Sequence, residues 1–197
     1  MPIQVDLREQ LAVGRHALDP ARVPQIAELI RAQPRRAERL LELLWDDDPG
    51  VANRAADVFE RISHDPSPAL CRVFAGFKDS LIGLLPEARF IKLRWNLAFA
   101  VPRLELTLAE ARRVAAALEA YLGDRSSIVK TAVLQGLADL TRHDPASLPA
   151  VVDLLQTRGR SGTPAMRARS RHLLKRLAPA QDRARGRAAK RVAPLRG

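Results

Sequence analysis

This chain of 197 residues contains little of several features that mark common classes of protein. Its single cysteine, Cys71, excludes an intramolecular disulfide and disfavours a cysteine metal site. Aromatic residues make up only 4% of the chain, so the composition does not indicate stacking on nucleobases. No stretch approaches the roughly 18 uninterrupted apolar residues of a membrane span, and none alternates strictly between apolar and polar residues. We therefore expect neither a membrane-spanning helix nor a β-sheet.

The short motifs of catalysis are missing as well. The sequence has no glycine-rich phosphate loop, no Gly-x-Ser-x-Gly elbow, and no cysteines and histidines clustered at metal-ligand spacing. The consecutive acids Asp46, Asp47 and Asp48 lack the spaced loop of a calcium site, and we interpret them as an inter-helix turn. We expect a protein that is not an enzyme and needs no cofactor or metal. Because no signal-like apolar run opens the chain, we also expect a cytoplasmic protein, acting as a monomer.

An internal repeat is present instead. The apolar residues that open similar patterns are Val51, Ile91, Val129 and Met166, at intervals of 37–40 residues. Such periods indicate stacked units of secondary structure, none of which can bury its apolar face alone. Ala, Leu and Arg dominate the composition, which favours helices. The sequence therefore predicts an all-α repeat fold.

Helix starts are marked by a capping residue followed by proline, as in Asp48-Pro49 and Thr163-Pro164. The capping oxygen accepts a bond from a free backbone N–H, and proline at the first helical position has no N–H to leave unpaired. These marks predict ten helices in five antiparallel pairs: 5–17 with 20–32, 34–46 with 49–63, 67–84 with 87–101, 107–122 with 126–142, and 145–157 with 164–177. The repeat domain is thus predicted at 1–177. The basic segment 178–197 has no apolar face and is predicted to be a disordered tail.

The second helix of the second pair carries the pattern Asp-Pro-x-Val-x-x-x-Ala-Ala-x-x-Phe-x-x-Ile at 48–62. With its partial recurrence at 124–140 and 163–177, the chain resembles the HEAT-repeat superfamily over nearly all of 34–177. The resemblance implies a right-handed α-solenoid of about five antiparallel HEAT-like helix pairs. It also implies an interaction scaffold, since members of this superfamily are mostly scaffolds.

The resemblance assigns a role to one basic position. In similar proteins, the basic residue after the apolar residue that opens a second helix often bonds an acid in the neighbouring inter-helix turn. Lys92, Lys130 and Arg167 stand at that place, while Ala52 departs from it. The resemblance implies this bridging role for Lys130 and Arg167.

The positive charge is concentrated near the C-terminus. The formal net charge is +11, and residues 154–197 contain 13 basic residues and one acid, Asp182. Such asymmetry indicates an acidic partner for the basic part. Nucleic acid is the commonest such partner, and an anionic membrane and an acidic protein are the others. The alternative is a solubilising end of the repeat array.

The basic residues of the second helices are our candidate binding surface. Arg167, Lys130 and Lys92 are predicted to form one row across the repeats, and Arg54, Arg94 and Arg169 a second row. In the last helix Arg171 and Lys175 share the face of Arg167, and Arg176 shares that of Arg169. The complete candidate surface is Arg54, Lys92, Arg94, Lys130, Arg167, Arg169, Arg171, Lys175 and Arg176.

Two functions follow from this surface. The first is a non-catalytic scaffold that holds a protein partner along the second helices. The second is nucleic-acid binding through the basic last repeat and tail. A third, remote hypothesis is an activity like that of the DNA alkylation repair glycosylases. These enzymes are also built from HEAT-like repeats and use tryptophans and an aspartate, but their positions do not align with Trp45, Trp95 and the acids of this chain.

Overall fold

The computed structural model describes residues 6–14, 16, 19–20 and 22–192, and residues 184–192 by their backbone alone. The described residues form ten α-helices and no β-strand, so the all-α prediction is confirmed. The helices are α1 (Leu7–Ala12), α2 (Val23–Ala32), α3 (Arg36–Glu42), α4 (Pro49–Ile62), α5 (Pro68–Glu87), α6 (Ile91–Ala100), α7 (Leu108–Ala120), α8 (Ser127–Leu140), α9 (Leu148–Ser161) and α10 (Pro164–Val192). Short 3-10 turns follow α3, α6 and α7 and precede α9.

The helices of successive pairs pack side by side in two layers. The even-numbered helices α2, α4, α6, α8 and α10 contact one another in that order. The odd-numbered helices α3, α5 and α7 do the same, and α9 packs against α8 and α10. This arrangement is an all-α helical repeat fold. The right-handed sense expected from the sequence stays a prediction.

Local capping explains where the helices begin. The side chain of Asp48 accepts hydrogen bonds from the backbone N–H groups of Gly50 at 2.6 Å and Val51 at 3.2 Å, as the sequence predicts for the start of α4. Both bonds of the capping box between Thr107 and Glu110 are present at the start of α7. At the start of α5 the side chain of Ser67 accepts a hydrogen bond from the backbone N–H of Leu70.

The helices α4, α6 and α8 are buried far more completely than surface helices usually are. In α8 every residue from 132 to 138 is buried, and in α4 so is every residue from 50 to 56. Small residues allow this, since a Cβ added to Gly136 would overlap the carbonyl oxygen of Ala98 in α6 and lie 2.8 Å from Leu118 Cδ1. With even-numbered neighbours on both sides and the odd-numbered helices against them, α4, α6 and α8 form the core of the molecule.

The last helix is longer than the sequence predicts. The predicted tail begins at 178, whereas α10 continues to Val192. The prediction of disorder rested on the missing apolar face. It underestimated both the helix propensity of an Ala- and Arg-rich segment and the packing of Ala180 against the core. Residues 193–197 of the predicted tail and residues 1–5 of the predicted repeat domain lie outside the described part of the chain.

Candidate functional site

The third repeat has a different register from the predicted one. α6 begins with Ile91, so Leu93 is its third helical residue and is equivalent to Val129 of α8. Leu93 and Val129 are both buried, whereas Ile91 is 49% exposed. Because residues 91 and 93 are both apolar, the sequence alone does not show which of them is the buried residue that opens the repeat pattern. The basic residue that follows the opening apolar position is therefore Arg94 and not Lys92.

Arg94 joins its own repeat to the next one. Its Nη1 donates to the carbonyl oxygens of Ala88 at 3.2 Å and Arg89 at 3.1 Å. Its Nε lies 2.8 Å from Asp124 Oδ2 in the next inter-helix turn, at an angle that makes the contact an ion pair and not a hydrogen bond. This ion pair is the contact that the resemblance implies for the basic residue after the apolar residue that opens a second helix. Arg94 is thus engaged inside the repeat array instead of lying free on a binding surface.

The turn before α4 is also connected to neighbouring repeats by ion pairs. Asp46 stands three residues before the first residue of its second helix, as Asp124 does. The guanidinium of Arg8 donates to both carboxylate oxygens of Asp46, at 2.7 and 3.0 Å, and these bonds hold the pKa of Asp46 below its ordinary value. Beside it, Arg89 from the following turn reaches Asp47 at 2.9 Å. Asp46 and Asp47 therefore form ion pairs with arginines of neighbouring repeats.

The last turn lacks such an acid. Ser161 occupies the place of Asp46 and Asp124, and the end of α9 carries Arg158 and Arg160 instead. Lys130, which is equivalent to Arg94, is half-buried and its side chain makes no hydrogen bond or ion pair with any described residue. Arg158 Nε is buried and has no hydrogen-bond partner in the described part of the chain. The bridging role that the resemblance implies for Lys130 is not realised, because no carboxylate stands opposite.

Arg54 is not on the surface, contrary to the prediction. Its side chain is buried in α4, and the residue is only 3% exposed. Nε donates to the carbonyl oxygen of Leu11, and the two terminal nitrogens donate to those of Ala12, His16 and Asp19 at 3.1–3.3 Å. The C-terminus of α1 offers carbonyls that have no partner within the helix, and Arg54 supplies their donors.

Lys92 is also buried, which the sequence did not predict. Its Nζ lies 2.5 Å from Asp57 Oδ2 in α4, and its side chain is 7% exposed. Asn96 donates to the other oxygen of the same carboxylate at 2.7 Å. Lys92 therefore connects two even-numbered helices and is not available to a partner.

Two predicted residues of α10 make a similar connection to α8. Arg176 Nη1 pairs with Asp139 Oδ1 at 2.7 Å, and Arg169 Nη1 donates to Gln135 Oε1 at 3.0 Å. The guanidinium of Arg169 also stands 6.0 Å from the centre of the Phe99 ring. The two predicted rows are therefore not continuous basic surfaces, because most of their members hold the repeats together.

Four members of the predicted surface make no side-chain hydrogen bond or ion pair with a described residue of another repeat, namely Lys130, Arg167, Arg171 and Lys175. Together with Arg160 at the end of α9, we call these residues the α9–α10 basic patch, which is thus defined as Lys130, Arg160, Arg167, Arg171 and Lys175. Four of them are exposed, and none forms an ion pair with a described residue. The side chain of Arg167 reaches only the carbonyl oxygen of Gly162, at 3.4 Å. Arg160 was not among the predicted residues, although the serine at 161 is a sequence signal that this turn lacks an acid.

Exposed apolar residues lie elsewhere. The large hydrophobic side chains exposed in the described part of the chain are Val13, Trp45, Ile91, Leu108 and Ile128, so α9 and α10 contribute none. Three of these residues, Trp45, Ile91 and Ile128, occupy the edge where odd-numbered helices end and even-numbered helices begin. Ile91 and Ile128 line an open groove of about 810 Å³ at this edge.

The tryptophans do not converge on a site. Trp95 is half-buried and packs against the core, whereas Trp45 is 40% exposed in the 3-10 turn that follows α3. Within the described residues there is no group of three or more His, Cys, Asp or Glu that could hold a metal ion. No helix in that part of the chain is long and apolar enough to cross a membrane.

Comparison with known proteins adds information about the fold and none about the function. No protein-family model matches this chain, and no curated protein matches it. One similar solved structure is the crystal structure of an engineered protein from the Northeast Structural Genomics Consortium. It is 17% identical with a TM-score of 0.60, and the match covers 88% of this chain and 78% of the other. At this identity the likeness concerns the fold and not the function.

Proposed function

We propose that this protein is a non-catalytic binding protein that holds nucleic acid through the α9–α10 basic patch. The observation that carries this proposal is a difference in charge pairing between the inter-helix turns. In the turns before α4 and α8, acids and cations of neighbouring repeats are paired, while the last turn presents cations without an acid. Clustered like charges repel one another, so their neutralisation by a polyanion is favourable.

The surroundings of the patch favour nucleic acid over other acidic partners. Protein interfaces depend on buried aromatic and aliphatic anchors, and no large hydrophobic residue is exposed on the described part of α9 and α10. A membrane-binding helix needs a free apolar face, but Met166, Leu173 and Leu177 of α10 are buried in the repeat stack. A phosphate backbone can be bound by charge alone.

The test is the binding of fluorescently labelled duplex DNA measured by anisotropy across a salt series. The double variant Arg171→Gln/Lys175→Gln removes two patch cations. Its matched control, Arg72→Gln/Arg113→Gln, removes two exposed cations from α5 and α7. For the patch variant, the slope of log K against log salt should become shallower by about 1.8, at roughly 0.9 per phosphate contact.

The control should leave the slope at the wild-type value, since its cations lie outside the patch. Two results would each defeat the proposal. One is the absence of duplex binding at low salt, and the other is an equal change of slope in both double variants.

A HEAT-like classification is part of the same proposal. The capping of α4 by Asp48 and the bond between Arg94 and Asp124 support it. The cytoplasmic location and the monomeric state also remain predictions.

Protein binding is our second candidate function, and a different surface favours it. We expect a partner to contact the edge that exposes Trp45, Ile91 and Ile128, and not the helices α4, α6 and α8, which are mostly buried. The test is an affinity pull-down that compares wild type with Ile91→Glu/Ile128→Glu. A partner recovered equally well by both proteins would show that this edge is not the contact.

A further inference from the structure

The α10 cations of the basic patch have a regular spacing that is set before any ligand binds. Arg167, Arg171 and Lys175 follow one another at intervals of four residues, which is a rise of about 6 Å for each step. They lie on the exposed side of α10, while Met166 and Leu173 on its other side are buried. Because the helix is packed against α8 and α9, the array keeps its geometry without a ligand.

The length of α10 extends this array. The helix has 29 residues, which corresponds to about 43 Å. This exceeds the roughly 34–36 Å of one turn of duplex DNA. Its backbone continues through a segment whose sequence adds Arg183, Arg185, Arg187, Lys190 and Arg191. A helix of this length, which contains Pro179 near its middle, is long enough to contact phosphates of both strands beside a groove.

Phe, Tyr and Trp are missing from this whole region, since none follows Tyr121 in the sequence. Proteins that hold single strands stack the bases on aromatic side chains in addition to contacting phosphates. The patch therefore offers phosphate contacts and has no Phe, Tyr or Trp on which an unpaired base could stack.

We propose that the ligand class of the α9–α10 basic patch is double-stranded nucleic acid, contacted at its phosphates without regard to sequence. This inference rests on the proposed function and deepens it. The expected preference follows from counterion release, whose slope is about 0.9 per contact on a duplex and 0.7 on a single strand. For the five residues of the patch alone, equal intrinsic affinity and about 50 mM salt, the duplex should bind roughly 20-fold more tightly, and contacts from the extension of α10 would add to this preference.

The experiment measures Kd for full-length protein with a duplex of about 20 base pairs, longer than α10, and with each of its single strands, at about 50 mM salt. A second duplex of unrelated sequence should bind with the same Kd. In the variant Arg171→Gln/Lys175→Gln, three contacts remain, and the preference for duplex should fall to roughly sixfold. The control Arg72→Gln/Arg113→Gln should keep the wild-type ratio.

The possible outcomes distinguish the duplex inference from the proposed function on which it rests. Single strands that bind as tightly as the duplex, or more tightly, would overturn the duplex inference while nucleic-acid binding stands. A large difference in Kd between the two duplexes would contradict binding that is independent of sequence. If neither form binds at low salt, the proposed function fails, and the inference fails with it.

Discussion

Replacing Arg54 separates a structural role from a binding role. In the structure its guanidinium donates to the carbonyl oxygens of Leu11, Ala12, His16 and Asp19. The variant Arg54→Met keeps most of the side-chain volume and removes all of these donors. A hydrogen bond to a charged group contributes about 1.5–3 kcal/mol, but bonds that share one guanidinium do not add fully. We therefore expect a loss of about 3–5 kcal/mol, comparable to breaking a buried ion pair.

For a chain of this size, 1 kcal/mol shifts the melting temperature by about 2–4 °C, so Arg54→Met should lower it by roughly 10 °C. Thermal unfolding followed by circular dichroism measures this shift. Because α1 is short and could detach alone, hydrogen exchange of residues 7–12 is the second readout. The control is Arg72→Met at an exposed position, where we expect less than about 0.5 kcal/mol. If both readouts are the same for the two variants, the assignment of Arg54 as a buried anchor is wrong.

Two further predictions concern packing and pH. Gly136→Ala should destabilise the protein by roughly 1–3 kcal/mol in urea unfolding, because the new Cβ would overlap the carbonyl oxygen of Ala98. Gly83→Ala, with open space around its Cβ, should be neutral or stabilising, and an equal loss in both variants would refute the packing argument. The bonds from Arg8 lower the pKa of Asp46 below the ordinary 3.8, so their stabilisation is complete above that value and is lost as the pH falls through the lowered pKa. The destabilisation caused by Asp46→Asn should therefore vanish in acid, and a difference that is constant with pH would contradict this reasoning.

Most of the fold was predictable because local signals and periodicity agree. Asp48 and Pro49 specify the start of α4 through bonds that involve only neighbouring residues. The third repeat was harder, because Ile91 and Leu93 are both apolar and only the packing of α6 against α4 decides which is buried. The extent of α10 was underestimated because its continuation depends on backbone propensity and not on an apolar face.

The candidate surface was predicted less well, for a physical reason. A sequence shows that a residue carries charge but not which group lies opposite it in the fold. Lys92 finds Asp57 one repeat earlier, and Arg54 finds carbonyl groups of the N-terminal segment. Arg171 and Lys175 were placed correctly on the exposed face of the last helix, and neither pairs with an acid among the described residues.

The residue at 161 has a consequence for how this sequence can change. A carboxylate there would stand where Asp46 and Asp124 stand, and it would give Lys130 the partner that it lacks. The same carboxylate would neutralise part of the positive field of the patch. Selection for stability therefore favours an acid at this position, while selection for polyanion binding opposes it. Under the proposed function, Ser161 marks a trade-off in which the chain keeps its charge at the expense of one more bond between repeats.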